Sequence, residues 1–548
     1  MPDSTFARWG RWLLSRPTQF LTLAFLLATA NTYASTMAAS LFLARGGLSV
    51  KVVEAAGVVG GAVRTEYPFA KAPKLGASTG AYLFGLMPPE LLEKMQLELP
   101  LKRRDPHYFL PTTSERSLLL GTDDAETKRQ LSTFFSAKDW DAHVAMEAEL
   151  EMLRDDVAKT WLREPLSIEA TANRWIRPAL RRAFVDLCRG SVGDYLAQWG
   201  FESDLVKAMY AVTDGFTGVL GTWDTPGTGM NFLVHNMCRL RGSGGTWMVV
   251  EGGMGTVTAR IADRAREAGA AIETGRAVTG ILVDGNAAKG VVLADGTEIQ
   301  ATTVLCNADP FRMRTLVGAD RLPAEYNQRL DGWLRDGSSF KLNVALRGLP
   351  RFSCLPVNRG QHGATIHLLP EGDVIHALKA GFQEAREGKL PTCPAIEWYI
   401  HTATDPTLKD ADGNHSSALF VQWVPYQPAG STWAAEEERF SRHLLSICDR
   451  FAPGTSDLVV DTFALPPTKI ESHFGITRGH IHHVDNMFGF ADRVPYATPI
   501  AGLYSCSAGC HPAGAVIGAA GHNAAQRILA DLEARLGKTE IHRPVVPE

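Results

Sequence analysis

The stretch LLATANTYASTMAASLFLARGGLSVKVVEA, Leu26 to Ala55, decides how this chain is read. Its end, LSVKVVEA, is apolar enough for a buried parallel strand and closes on an acid, Glu54, while the alanine-rich segment from Met37 to Arg45 before it has helical character. This is the helix and second strand of a nucleotide-binding βαβ unit. In such a unit the acid ending the second strand accepts hydrogen bonds from the adenosine ribose, about 20 residues after a glycine turn. Counting back from Glu54 puts the three G-x-G-x-x-G positions on Asn31, Tyr33 and Thr36, none of them glycine. The first glycine permits a tight bend, the second lets backbone approach the pyrophosphate, and the third allows close helix-to-strand packing. Tyr33 is the costliest replacement, because its side chain would stand where a phosphate sits.

The segment upstream has several readings. Arg8, Arg11 and Arg16 against the single acid Asp3, followed by FLTLAFLLATA, fit a signal peptide, an Arg-rich organelle transit segment or a membrane anchor. The apolar run is about half of the roughly 20 residues a membrane span needs, and NTYAST interrupts it. FLTLAFLLA also reads as the first buried strand of the sheet, and this reading has the better register, because it sets strand, turn and helix at the distances Glu54 demands. Cleavage after Ala30 would remove that strand, so a secretory peptide and an intact nucleotide fold exclude each other.

With 548 residues, 45% hydrophobic and 21% charged, the chain is a folded protein long enough for two or more domains. A net charge of −4 and the lack of any basic run interleaved with aromatics exclude nucleic acid as a partner. Eight scattered cysteines argue for a reducing compartment rather than a disulfide scaffold. In CSAGC, Cys506 and Cys510 stand one residue too far apart for a C-x-x-C pair and read as small buried thiols in a tight turn.

Residues 101–240 carry charged segments with apolar residues at three- and four-residue spacing, a helical insertion. EGGMGTVTARIADRAREAGAAIETG then reads as glycine turn, amphipathic helix and short strand, and the hairpin signals DGN and ADG punctuate a β-meander returning to TTVLCNA. A mixed region follows: SSFKLNVALRGLP and SALFVQWVPY as strands, AAEEERFSRHLLSICDRFA as a helix, HFGITRGHIHHVD as an exposed histidine-rich connection. The C-terminal GLYSCSAGCHPAGAVIGAAGHNAA is a strand, a Gly/Pro loop and a helix with a small-residue first turn, which admits the middle of a cofactor near the positive end of the helix dipole.

On LARGGLSVKVVEAAGVVGGAVRTE, EGGMGTVTARIADRAREAGAAI, VLCNADP, HFGITRGHIHH and GLYSCSAGCHPAGAVIGAAGHNAA, the chain from about Met37 onward resembles the FAD-dependent oxidoreductases of the phytoene desaturase and amine oxidase type. The resemblance implies an α/β fold: a Rossmann-like FAD-binding domain of GR2 type assembled from noncontiguous segments, with a mixed α+β substrate domain. The implied division is an atypical segment 1–36, FAD-binding parts 37–100, 241–320 and 495–535, a helical substrate-domain insertion 101–240, a substrate domain 321–494, and a tail 536–548. It also implies that Glu54 holds the adenosine ribose, Gly60, Gly61 and Arg64 the pyrophosphate and ribityl region, and Val278 the adenine through its backbone, with Pro512, Gly514, Ala515 and Val516 along the flavin.

Two departures stand out: the absent glycine fingerprint, and HPAGA where the family has an HPGGG-like loop. Three explanations compete for the first: residues 1–36 from a mistaken exon or start site, which is the favoured one, a flavin-free relative acting as a regulatory or interaction protein, or weak FAD binding through the remaining contacts.

The expected activity is flavin-mediated dehydrogenation or oxidation of a small apolar or amphipathic substrate, with a carotenoid or retinoid-type desaturase or saturase as an alternative. No second strand-GxGxxG-helix exists for a nicotinamide, so the expected electron acceptor is oxygen, a quinone or a carrier protein. The resemblance and the Arg-rich, acid-poor start point to the mitochondrial matrix, with cytoplasmic or membrane-associated placement as the alternatives and membrane association not favoured. Hydride removal by a flavin needs no dedicated nucleophile, and no residue is assigned as catalytic. In HIHHVD, His480, His482, His483 and Asp485 offer metal ligands or acid–base groups, but an extended segment points His483 away from the other two. A polar lining of the substrate channel, joined by His511, is the better reading, and no metal site is assigned. Lys341 lies on the strand face opposite Phe340, Leu342 and Val344, for which solvent is the commoner destination.

Overall fold

The computed structural model describes residues 22–27 and 33–541. Asn31 lies outside these residues, and of Tyr33 only the backbone is described. A five-stranded parallel sheet is built from β1 (Thr22–Leu27), β2 (Ser49–Glu54), β3 (Ala271–Glu273), β4 (Val304–Cys306) and β5 (Leu503–Ser505), in the order β5-β4-β1-β2-β3. The first-strand reading of FLTLAFLLA therefore matches the structure: β1 is central, with Ala24 opposite Val304 of β4 and Leu27 opposite Glu54 of β2.

Helix α1 (Tyr33–Arg45) starts four residues before the expected Met37, because nothing in YAST interrupts a helix, and Gly47 ends it with φ 83°. All positions from Ala34 to Leu43 are buried. A helix apolar on every side needs cover on every side, and α1 is covered by the sheet, by α2 (Gly255–Glu267) and by α3 (Ala519–Ile541). The contact with α3 is made backbone to backbone, since a Cβ on Gly521 would stand 1.7 Å from the Ser35 carbonyl oxygen. The small first turn of α3 thus admits α1. Helix α3 also runs to Ile541, beyond the expected tail boundary at residue 536, because LGKTEI contains no proline to stop it. A three-stranded antiparallel meander, Val278–Asp284, Ala287–Leu293 and Glu298–Gln300, precedes β4.

The second sheet has seven strands, in the order 459–465, 339–346, 415–422, 395–400, 365–368, 108–111 and 117–120. Its edge comes from the start of the helical insertion 101–240: the short apolar runs YFLP and SLLL pair as a hairpin, Tyr108 opposite Leu120, and the helices of the insertion begin at Asp124. The three strands 339–346, 415–422 and 395–400 are buried at every position. Phe340, Leu342, Leu419 and Trp398 pack on one face with the helix Trp433–Phe451. Alternation sends Lys341, Phe420 and Glu397 to the other, and the strand register sets these three side by side, Lys341 opposite Phe420 and Phe420 opposite Glu397. That face is buried too, so the expectation of solvent for Lys341 is corrected: it is 4% exposed. Among the described residues no helix is long and apolar enough to cross a membrane.

Replacing Gly521 by alanine drives a methyl into the α1 backbone. The expected cost is about 1–3 kcal/mol or more, since neither helix can give way by a side-chain rotation. Thermal unfolding checks it, and an unchanged melting temperature would show that α1 and α3 are not held this closely.

Candidate active site

Glu54 ends β2 fully buried. Its Oε1 accepts the Ala56 N–H at 2.7 Å, and its Oε2 has no hydrogen-bond partner among the described residues. Burial pushes the carboxyl up to about 7, against the opposing pull of the Ala56 N–H and the Arg64 charge. The Arg276 N–H donates to the Glu54 carbonyl at 2.7 Å and the Gly275 N–H to that of Ala56 at 2.8 Å, which brings Val278, two residues on, to the same end of the sheet.

From Glu54 the chain runs into Gly60 and Gly61, with φ of 137° and 55°, values that a side chain disfavours. The turn they make, closed by the Val63 N–H on the Gly60 carbonyl at 2.9 Å, delivers Arg64. Arg64 Nη2 pairs with Glu66 at 2.9 Å and lies 3.0 Å from His473 Nε2, while its Nε is buried without a partner among the described residues. Burial alone would raise Glu66, but hydrogen bonds from His473 and Thr79 and the Arg64 charge hold it at about 2.

The C-terminal loop is pinned from beneath. Asn486 clamps Gly514, its Oδ1 accepting the Gly514 N–H at 2.9 Å and its Nδ2 donating to the carbonyl at 3.1 Å, and a Cβ on Gly514 would meet His482 Cα at 2.5 Å. Ala515 and Val516 face a cavity of about 200 Å³, whereas Pro512 is buried off its wall.

The HIHHVD segment is a buried turn, not an exposed connection. His480, His482, His483 and Asp485 are 0–4% exposed, and His483 takes φ 61°. Its solvation is replaced from within: His480 Nε2 lies 3.5 Å from Asp485 Oδ2, and Asp485 accepts the Met487 and Leu220 N–H groups at 2.9 and 3.1 Å. Of the expected channel lining only His482 reaches the cavity, its Nε2 2.9 Å from the Thr217 carbonyl and burial holding its pKa down at about 4. His511 is turned away, with Nε2 3.2 Å from the Thr160 carbonyl. Among the described residues no group of three His, Cys, Asp or Glu side chains is arranged to hold a metal. Cys506 and Cys510 are free, buried thiols, and burial pushes Cys510 up to about 11.

Opposite Ala515 stands Lys341. Its Nζ donates to the Ser78 and Gly80 carbonyls at 2.8 and 2.5 Å and sits 4.1 Å from the Tyr82 ring centroid. Burial pushes its ammonium well below the usual range. Beyond it lies a polar end the sequence reading missed. A π-helix at Ala211–Gly215, a geometry concentrated at functional sites, turns Thr213 and Asp214 to the cavity. Tyr399 donates to one oxygen of Glu397, and Thr217 Oγ1, whose proton goes to the Thr213 carbonyl, lies 3.3 Å from the other. Burial raises Glu397 to about 7 and, with the nearby Glu397 charge, Asp214 to about 8. A charged residue inside the apolar strand AIEWYI was the available signal for Glu397; Asp214 had none, since its exposure to the cavity depends on the π-helix.

The arrangement suits a dinucleotide flavin. The partnerless Glu54 Oε2 fits a ribose hydroxyl, the partnerless Arg64 Nε fits a pyrophosphate or ribityl oxygen, and Ala62, Gly80 and Ala515 leave a small-residue wall between Lys341 and the C-terminal loop.

Comparison with known proteins agrees. Residues 37–350 match the family model described as flavin containing amine oxidoreductase. The rat pyridine nucleotide-disulfide oxidoreductase domain-containing protein 2 is 32% identical, covering 91% of this chain and 92% of its own. An oxidoreductase from Methanosarcina mazei shares the fold at 14% identity and TM-score 0.59, covering 93% of this chain and 100% of its own. Putrescine oxidase bound to putrescine shares it at 15% identity and TM-score 0.56, covering 95% and 100%. The chain belongs to the flavin-containing amine oxidoreductase family and is an FAD-dependent oxidoreductase.

Proposed function

We propose that the protein oxidises a compact amphipathic molecule held in the cavity between Lys341 and the Ala515–Val516 loop. The observation that carries this reading is the pairing of Lys341, buried and depressed in pKa, with a pocket whose wall includes Leu83, Phe420, Ile470 and Phe474. The lining is largely apolar, with ionisable groups at Lys341, Asp214 and Glu397, which favours an amphipathic substrate. The bound flavin supplies the two-electron acceptor. The protein excludes water, holds the substrate against the small-residue wall, and moves a proton at Lys341 Nζ: in its neutral form this amine gives two N–H groups to Ser78 and Gly80 and keeps its lone pair for a substrate or water proton. Electrons leave to oxygen, a quinone or a carrier protein, and rapid reoxidation by NAD alone would exclude that part of the reading.

Lys341→Met should leave the flavin spectrum in place and slow flavin reduction by about 10²–10⁴-fold, the usual worth of a positioned acid–base group. In the native protein that rate should rise with pH as Lys341 loses its proton, and the rise should vanish in the variant. Stopped-flow reduction with a turned-over substrate measures both, and a variant reduced at the native rate would remove Lys341 from the chemistry.

Glu54 makes FAD binding pH-dependent. Its raised pKa of about 7 leaves it mostly protonated at pH 6 and mostly ionised at pH 8, and the ionised form is the better acceptor for ribose hydroxyls. Apoprotein should therefore bind FAD about tenfold more tightly at pH 8 than at pH 6. Quenching of flavin fluorescence reads the affinity, and Glu54→Gln should flatten the dependence.

The first measurement is the visible spectrum of the purified protein. Near-stoichiometric FAD is expected, and a protein that stays colourless with added FAD would overturn the reading.

A further inference from the structure

The cavity holds a second cation that the proton chemistry at Lys341 does not use. Arg104 is 6% exposed. Its Nε donates to the Trp247 carbonyl at 3.0 Å and its Nη1 to Thr365 Oγ1 at 2.7 Å, both uncharged partners, and both residues line the inner cavity. Among the described residues no carboxylate lies within ion-pair distance of Arg104, and its Nη2 has no hydrogen-bond partner. The cavity acid whose charge reaches Arg104, Glu397, makes no ion pair with it and is held by the Tyr399 hydroxyl. A buried guanidinium is always charged and costly to leave unpaired, and its planar fork matches a carboxylate.

Arg104 also lines a cleft of about 760 Å³ on the outer surface. Lys102, Arg103 and Lys409 line that cleft against a single carboxylate, Asp105, with Lys102 paired to Glu251 behind it. Trp247 and Thr365, the groups that fix the guanidinium, line the inner cavity and not the cleft, so the charged end is held on the inner side. The cationic cleft raises the local concentration of anions, and the inward-held arginine is the group placed to pair with one.

We infer that Arg104 anchors a carboxylate on the substrate, whose apolar body extends from it toward Lys341. This rests on the reading of the cavity as the substrate site. The test uses FAD-loaded protein titrated with hexanoate, hexanamide and hexylamine, followed by perturbation of the flavin absorption band. Hexanoate is expected to bind at least about tenfold more tightly than hexanamide, the worth of a buried charge-assisted pair. Arg104→Met should reduce hexanoate to the level of hexanamide. Arg104→Lys, which keeps the charge and loses the fork, should fall between them. Lys409→Met, in the outer cleft, should change the affinity no more than about threefold, because it acts on encounter rather than on the bound pair.

Equal binding of hexanoate and hexanamide in the native protein, or tighter binding of hexylamine, would overturn the inference while leaving the cavity as substrate site. Equal losses in Lys409→Met and Arg104→Met would place the carboxylate in the cleft and overturn it as well. Failure of all three ligands to perturb the flavin would remove the cavity reading together with it. The comparison of ligands on the native protein needs no variant to fold.

Discussion

The strands 339–346, 415–422 and 395–400 are buried on both faces, and the candidate active site follows from that constraint. A strand shows alternate residues to opposite sides, so a polar residue in such a sheet has no route to water. One face joins the hydrophobic cluster around Trp433 and Phe440; the other supplies Lys341, Phe420, Glu397 and Tyr399 to the cavity. The ionisable groups are tolerated there because each finds hydrogen bonds: Lys341 on two carbonyls, Glu397 on the Tyr399 hydroxyl. Their pKa values move toward neutrality for the same reason, since burial disfavours both the ammonium and the carboxylate.

The cofactor end depends on close backbone approach. Gly514 lies against His482, Gly521 against Ser35, and Gly60 and Gly61 carry the chain round with positive φ. The histidine turn beneath the C-terminal loop has a structural reason for its composition: His480 stands beside Asp485, Asp485 caps two backbone N–H groups, and the neighbouring Asn486 holds Gly514 at both its backbone polar atoms.

Arg64 and Glu66 show how far apart in sequence one electrostatic unit can be assembled. Glu66 is held ionised by His473 and Thr79, and its charge in turn fixes Arg64 with Nε facing inward. The GG turn puts Arg64 and Glu66 in place, but His473 arrives from the helix Pro467–Phe474, some 400 positions later. No local pattern announces such a partner.

The sequence by itself determined the parallel nucleotide-type sheet, the meander with its DGN and ADG turns, and the strand-end acid Glu54, because these rest on period-two alternation, turn chemistry and short-range spacing. It also determined that Phe340, Leu342 and Val344 share a face opposite Lys341. Only the tertiary structure decided which way that second face looks. Whether a strand's other side meets water or protein is set by what the chain folds over it, here Ser78 to Tyr82 and the π-helix, and those segments lie hundreds of residues away from the strand or depend on a backbone register that no residue pattern encodes. The burial of HIHHVD, the assembly of Asp214 with Glu397, and the lack, among the described residues, of a carboxylate paired with Arg104 were beyond reach for the same reason: each is a fact about three-dimensional neighbours, and burial then sets the charge state.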